Sequence, residues 1–259
     1  MNPRSLVVAF LIPFIFSTCS SAQDATAPRE FYEVRVYQVF DYEKQAALHE
    51  FLRSAYLPAL ERLGIDRVGV FSNMKDENDH SVFMLIPFRD VQQFTTLREQ
   101  LQQDAEFAEA EAAFGDRAVD DPVFTRIESR FMRAFASMPV MELADYSTNK
   151  TDRIFELRLY ESHTSDHARR KVQMFDAGET QLMRDVGMGP VFFGETLIGP
   201  TVPNLVYMLS AESEDAHKQH WQAFLDSPRW AAMKDLPEYK DTVSKIRNWY
   251  LVPLDFSGI

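Results

Sequence analysis

The sequence predicts an α+β protein built from two copies of one β-α-β-β-α-β unit. A strand-like stretch occurs twice, as FYEVRVY at residues 31–37 and IFELRLY at residues 154–160, and in both an apolar face alternates with Glu, Arg and Tyr. An offset of 123 residues also aligns later anchors, Gly64 with Gly187, Val68 with Val191 and Phe107 with Trp230. Ungapped agreement over this length indicates a duplicated domain.

The first copy, residues 31–137, contains two runs with apolar residues at helical spacing. Gly64 follows the first run as a C-cap, Asp90 opens the second, and a polar loop at residues 73–79 separates two short apolar strands. The predicted elements are a strand at 31–39, a helix at 43–63, strands at 67–71 and 81–87, a helix at 90–114 and a strand at 124–135.

The second copy, residues 153–259, follows a polar linker at residues 138–152 and repeats the order. Ser165 is a suitable N-cap, and Gly187 ends the first helix. Gly194, Gly199 and Pro200 are expected to shape a loop. The predicted elements are a strand at 153–161, a helix at 165–187, strands at 190–194 and 204–211, helical pieces at 213–226, 228–234 and 237–244, and a strand at 246–253.

Each copy is therefore a ferredoxin-like unit, in which two helices cover one face of a sheet and the other face needs a partner. We expect the two domains to pack sheet to sheet, as a barrel within one chain. The apolar sides of the opening strands are expected to take the helices. The charged sets would then face the barrel interior: Glu33, Arg35 and Tyr37 in the first copy, and Glu156, Arg158 and Tyr160 in the second.

Residues 1–22 have the pattern of a secretory signal peptide, because a basic residue precedes an apolar run and small residues follow. The run is too short to remain as an integral membrane span. Cleavage before Gln23 would export the protein, periplasmic or secreted, with a tether at residues 23–30. The alternative is a lipoprotein anchored through Cys19, since residues 16–19 loosely resemble a lipobox. Cys19 is the only cysteine, so the folded part has no disulfide.

Charge and motifs exclude several classes of function. The chain of 259 residues carries a formal net charge of −12, and such an acidic surface repels nucleic acid and anionic membranes. We therefore expect no nucleic-acid partner. The sequence contains no Gly-rich phosphate loop, no Gly-x-Ser-x-Gly elbow and no metalloprotease motif. Nucleotide-dependent chemistry and triad hydrolysis are therefore not expected.

Several motifs of the second copy together resemble one family. They are FELRLY at 155–160, GPVFFGE at 189–195, GPTVPNLVYML at 199–209 and PRW at 228–230. On these motifs the chain resembles secreted bacterial NIPSNAP proteins, with two such domains in tandem, although the first copy is more divergent. The resemblance implies the dimeric α/β-barrel superfamily, whose members include cofactor-free monooxygenases, haem-degrading enzymes and isomerases. Because a fold does not fix the chemistry, no activity or cofactor is assigned.

The two Glu-x-Arg-x-Tyr sets are the candidate sites. Arg158 would hold an anionic or carbonyl ligand, Tyr160 would donate a hydrogen bond and Glu156 would act as a base, which makes Glu156 and Tyr160 the catalytic candidates. The richer aromatic lining favours a pocket in the second copy. The candidate ligand-binding residues are Arg158, Tyr160, Glu156, Phe193, Tyr207, Arg35 and Glu33. In the structural alternative, the arginines only pair with the glutamates and hold the sheets together.

The histidines do not predict a metal site. His163 and His167 are four residues apart, and His217 and His220 share a helical face, but neither pair has an evident third ligand. Surface positions are therefore expected for both pairs, and no metal is predicted. A proximal haem ligand is not assignable either.

Two hypotheses of function remain. In the first, an exported protein binds a small aromatic or carbonyl-bearing molecule in the barrel interior, with monooxygenase-like or isomerase-like chemistry as an extension. In the second, a non-catalytic interaction protein uses its charged interior only to cement the two domains. Homo-oligomerisation stays open, although the tandem copies already supply the barrel partner.

Overall fold

The computed structural model describes residues 28–259. The predicted signal peptide and the alternative anchor at Cys19 lie outside the described residues. The first half has the predicted order of elements: β1 (Phe31–Val39), α1 (Tyr42–Phe51), a π-helical segment (Leu52–Tyr56), α2 (Leu57–Arg62), β2 (Gly69–Asn73), β3 (Val82–Phe88), α3 (Val91–Gln103), α4 (Ala105–Gly115) and β4 (Phe124–Ala134).

Within residues 28–259, no helix is long and apolar enough to cross a membrane. The second half repeats the order of the first after a short helix in the linker. The elements of the linker and the second half are α5 (Asp145–Thr148), β5 (Ile154–Glu161), α6 (Ser165–Met174), a π-helical segment (Phe175–Glu179), α7 (Thr180–Asp185), β6 (Pro190–Ile198), β7 (Asn204–Ala211), α8 (Glu214–Leu225), α9 (Pro228–Lys234), a 3₁₀ turn (Pro237–Tyr239) and β8 (Lys245–Pro253).

Some element boundaries differ from the sequence prediction for local reasons. The predicted helix at 90–114 is two helices, because Asp104 leaves the helical conformation and its carboxylate caps α4 by accepting the N–H of Phe107. Thr164 caps α6 in place of Ser165. Gly194 lies inside β6 rather than in a loop, and a Cβ there would approach Met132 Cβ at 2.9 Å.

The eight strands close into one antiparallel barrel in the order β1-β3-β2-β8-β5-β7-β6-β4. Each half contributes four neighbouring strands, and the halves join at two seams. At one seam β2 pairs with β8, and at the other β4 pairs with β6. This arrangement confirms the predicted packing of two domains as a barrel within one chain.

The barrel lumen is filled mainly by apolar side chains from all eight strands. Tyr32 and Phe192 meet with ring centroids 4.9 Å apart, and Phe71 and Phe155 meet at the same distance, so both contacts cross between the halves. The expectation that the apolar sides of the opening strands take the helices is therefore wrong.

The charged sets instead lie between each sheet and its own helices. Arg35 contacts Tyr56 of the first π-helical segment, and Glu156 contacts His217 of α8. Burying a charge is tolerable only beside polar partners. The helices supply such partners, whereas the centre of the lumen offers aliphatic and aromatic groups.

The π-helical segments occur at the same place in both halves, 123 residues apart. Such segments are short, rare departures from the α-helix that are frequent at functional sites. Each ends at a residue that reaches a charged group under the helices: Tyr56 reaches Arg35, and Glu179 reaches Lys171. The duplication therefore preserved this local distortion.

Candidate functional site

In the first half, Arg35 and Glu33 form a two-pronged ion pair on the helix-facing side of β1. Arg35 Nε lies 3.0 Å from Glu33 Oε1, and Arg35 Nη2 lies 2.8 Å from Oε2. Ser129 on the paired strand β4 donates a third hydrogen bond to Glu33 Oε1 at 2.7 Å. The positive charge of Arg35 is therefore compensated directly.

Two tyrosine hydroxyls complete the contacts of Arg35. Its Nη1 donates to Tyr56 OH at 2.8 Å and to Tyr37 OH at 3.3 Å. Burial raises the pKa of Tyr56 to about 12, so this phenol keeps its proton at neutral pH. Because both hydroxyls accept from Arg35, their own protons remain free to donate to a bound molecule, as neither has an acceptor within residues 28–259.

Two cavities, of about 480 and 450 Å³, lie beside this network between the sheet and the helices. Both are lined by Arg35, whose side chain is 17% exposed, and by Tyr56. Most of the remaining wall of the larger cavity is apolar and includes Leu48, Phe51, Phe107, Phe114, Val123, Phe124 and Ile127. Cavities of this size that are apolar with a few convergent polar groups are typical ligand sites.

In the second half, Glu156 is completely buried and both of its oxygens are bonded. Oε1 accepts from Arg158 Nη1 at 2.6 Å and from Asn248 Nδ2 at 2.9 Å. Oε2 accepts from His217 Nε2 at 2.8 Å and from Trp221 Nε1 at 2.9 Å. Burial alone would raise the pKa of Glu156, but the His217 hydrogen bond and the Arg158 charge lower it from 4.5 to about 2.

Arg158 is enclosed by aromatic groups. Its Nη2 lies 3.2 Å from Tyr160 OH, which is 2.8 Å from Tyr207 OH. The indole of Trp221 covers the guanidinium at 4.5 Å, a cation–π contact. Tyr207 is fully buried, and burial raises its pKa far above its ordinary value, so this hydroxyl stays neutral.

A buried ion pair joins α6 to the π-helical segment of the second half. Lys171 Nζ lies 2.7 Å from Glu179 Oε2, and both side chains are almost fully buried. The offset of 123 residues matches this pair with Leu48 and Tyr56 of the first half. Burial raises the pKa of Glu179 despite the neighbouring lysine.

These positions differ from three further expectations. The two cavities described above lie beside the Glu-Arg-Tyr set of the first half, whereas the sequence favoured a pocket in the second. Phe193 is fully buried and stacks on Tyr207 with centroids 5.3 Å apart, so it belongs to the core of the second half. His217 was expected at the surface, yet it is buried against Glu156.

Sequence reasoning missed Tyr56, Lys171 and Glu179 as members of the two networks. One signal was available, because Lys171 occupies the position of Leu48 in the repeat and a lysine at a core position needs a partner. Within residues 28–259, no group of three His, Cys, Asp or Glu side chains is arranged to hold a metal ion.

Comparison with known proteins identifies one family and several solved structures of similar fold. The family model described as NIPSNAP matches residues 32–139 and 155–258. No curated protein matches the chain. Solved structures of similar fold include two proteins provisionally assigned as monooxygenases. The one from Lactobacillus acidophilus NCFM has a TM-score of 0.58 and is 10% identical, and the match covers 87% of this chain and 94% of that one. The one from Fusobacterium nucleatum subsp. nucleatum ATCC 25586 has a TM-score of 0.56 and is 7% identical, and the match covers 88% of this chain and 94% of that one.

A third structure is described as an anthrone oxidase-like protein and has a TM-score of 0.52. It is 13% identical, and the match covers 89% of this chain and 93% of that one. At such identities the three structures share the fold of this chain, and the likeness extends no further.

Proposed function

The chain belongs to the NIPSNAP family, and from this premise we propose that it binds a small aromatic, carbonyl-bearing molecule in the first half, between the sheet and the helices. The observation that carries the proposal is the position of Arg35. Its guanidinium lies in the wall of both cavities, with two tyrosine hydroxyls beside it.

The polar end of this site favours a neutral oxygen over a full anion. Glu33 already balances the charge of Arg35, while the protons of Tyr37 and Tyr56 are available as donors. A carbonyl or phenol oxygen accepts such hydrogen bonds without requiring a second compensated charge. The site would therefore orient the oxygen of the ligand toward β1.

The apolar end favours a flat ring system. Phe51 stacks on Phe114 with centroids 4.2 Å apart, and Phe107 lies close to both Phe51 and Tyr56. Aromatic rings prefer stacked or edge-on aromatic neighbours. The larger cavity, at about 480 Å³, has room for a ligand of two or three fused rings.

Oxygenase chemistry is an extension of this proposal. Support comes from the structural neighbours, two of them provisionally assigned as monooxygenases and one described as anthrone oxidase-like. Anthrone is itself a flat aromatic ketone. The structural alternative applies better to the second half, where Glu156 is fully bonded and Trp221 covers Arg158.

Export is also part of the proposal and rests on the sequence of residues 1–22. The mass of the protein purified from its own source distinguishes the two proposed forms of export. A chain that begins at Gln23 supports cleavage to an exported protein, and a chain that begins at an acylated Cys19 supports the lipid-anchored alternative. A chain that retains Met1 contradicts both.

The test of binding uses anthrone as the probe in calorimetric titrations of the protein and two matched variants. Arg35→Met should weaken anthrone binding about tenfold, because it removes the group that orients the Tyr37 and Tyr56 hydroxyls as donors to the ligand. Arg158→Met removes the counterpart arginine and should leave the affinity within about twofold. Equal affinity in the wild type and Arg35→Met, or a loss confined to Arg158→Met, would contradict the proposed site. Circular dichroism confirms that each variant is folded.

A further inference from the structure

One end of the barrel lumen differs from its apolar centre. A cavity of about 220 Å³ lies there between the two sheets and shares no wall residue with the two cavities beside Arg35. Its apolar walls come from strands of both halves and include Val34, Leu157 and Trp249. Its polar wall consists of Gln38, Asp79, Ser81, Glu128, Arg130 and Arg247.

Arg130 is the unusual member of this wall. It is only 7% exposed, and within residues 28–259 its Nε is buried without a hydrogen-bond partner. The nearest carboxylate, Glu128, is 3.7 Å away and already accepts a hydrogen bond from Gln38 at 2.8 Å. A buried N–H group without a hydrogen-bond partner is costly, because it has lost its contact with water.

The other charged groups that face the cavity are engaged elsewhere. Arg247 adds a second positive charge, and its Nε lies 3.0 Å from Glu161. Asp79 accepts hydrogen bonds from Asn73 at 2.8 Å and from the N–H of Ser81 at 3.0 Å. Arg130 therefore has one counter-charge at ion-pair distance, Glu128, but no hydrogen bond to it.

The fold also fixes the stem of Arg130. It lies on β4 opposite Val34, and the backbone of Gly199 closes over it. A Cβ at position 199 would approach Arg130 Cγ at 3.0 Å, so a larger residue would press on the arginine. The close approach of this loop holds the guanidinium at the cavity, with its donors facing inward.

We propose that this cavity is a second binding site, for a small carboxylate with a short apolar body, and that Arg130 binds the carboxylate group. The planar fork of an arginine matches a carboxylate with two parallel hydrogen bonds. The apolar walls would cover the body of the ligand. A cavity of about 150 Å³ holds benzene in another protein, so 220 Å³ accommodates one ring and a carboxylate.

This site is independent of the site proposed beside Arg35 and takes a different ligand class. Arg35 is balanced by Glu33 through two hydrogen bonds, which favours a neutral oxygen. Within the described part of the chain, Arg130 has only the longer ion pair with Glu128 at 3.7 Å, and its Nε has no hydrogen bond, which favours a ligand with a full negative charge. The two proposals can therefore fail separately.

The test uses benzoate as the probe and benzamide as its uncharged counterpart, both titrated calorimetrically into the full protein. Benzoate should bind, and benzamide should bind at least about tenfold more weakly. Arg130→Met should weaken benzoate binding by a similar factor. The control Arg133→Met removes an arginine that faces outward from the same strand and pairs with Glu195, and it should leave the affinity within about twofold.

Arg35→Met separates the two proposed sites, because it should not alter benzoate binding. Absence of benzoate binding to the wild type, equal binding by Arg130→Met, or a loss confined to Arg35→Met would each overturn the inference. If Arg130→Met does not fold, Arg130→Lys replaces it, since a lysine keeps the charge but loses the planar fork. Benzoate affinity should then fall about threefold or more, and an unchanged affinity would overturn the inference.

Discussion

The two halves of the barrel contain the same Glu-Arg-Tyr set in two different surroundings. In both, the arginine bonds the glutamate two residues before it and the tyrosine two residues after it. The first half leaves cavities around its arginine, whereas the second half fills the same space. Four of the matching positions that differ lie beside these sets: Leu48 and Lys171, Tyr56 and Glu179, Phe94 and His217, and Arg98 and Trp221.

This comparison distinguishes the ion pair, which the strand residues form in both halves, from its surroundings, which the helix residues determine. The ion pair is common to both halves, so its presence alone does not distinguish a ligand site from a structural network. The helices supply the difference, because Trp221 and His217 bond Glu156 whereas α3 of the first half leaves Glu33 beside a cavity. The surroundings of an arginine therefore decide whether a ligand can reach it.

The largest expected effect is on the buried pair that fills the second half. Lys171→Met should lower the free energy of unfolding by about 3–5 kcal/mol, because it leaves Glu179 buried without its partner. The double variant Lys171→Met/Glu179→Leu restores an apolar layer like that around Leu48 and should recover most of the loss. Urea unfolding followed by circular dichroism measures both. Equal losses in the single and double variants would show that the pair is not coupled.

The second effect is a loss of stability in acid that arises from the second half. Glu156 has a folded-state pKa near 2, below its unfolded value of 4.5, so its contribution is present above pH 4.5 and is lost as the pH falls toward 2. The full loss is on the order of 3 kcal/mol. In Glu156→Gln this loss should vanish, so the gap in unfolding free energy between wild type and variant should narrow in acid. A gap that stays constant down to pH 2 would contradict the assignment.

The smallest effect comes from making the first half resemble the second. Arg98 is exposed and lines the cavity of about 450 Å³, where Trp221 stands in the other half. Arg98→Trp should fill this space and raise the free energy of unfolding by about 1 kcal/mol, and it should weaken anthrone binding only if the ligand extends past Arg35 into this second cavity. Arg89→Trp, at an exposed position outside this cavity, is the control. Unchanged stability and binding in Arg98→Trp would show that the indole does not enter the cavity.

Most of the fold could be predicted from the sequence because duplication makes each half a check on the other. The repeated FYEVRVY and IFELRLY stretches, with the glycines that end the first helices, were sufficient for the order of elements and for the barrel within one chain. Membership of the NIPSNAP family, with two domains in tandem, was likewise confirmed, whereas the secreted type stays a prediction.

The direction of the charged face could not be predicted from the strands alone. Alternation divides a strand into two faces but does not say which one meets the helices. The answer depended on partners far away in the sequence, such as Tyr56 for Arg35 and His217 for Glu156. The lack of a hydrogen bond to Arg130 Nε was equally hidden, since it depends on where other strands place their side chains.

The shared lumen also bears on how the protein is made. Contacts such as Tyr32 with Phe192 and Phe71 with Phe155 join residues whose translation is separated by 84 residues or more. The inner face of the first sheet is therefore covered by the second copy, which is translated later. Val34, Phe83 and Leu85 belong to this face, so a first copy released without the second would leave them without their apolar partners.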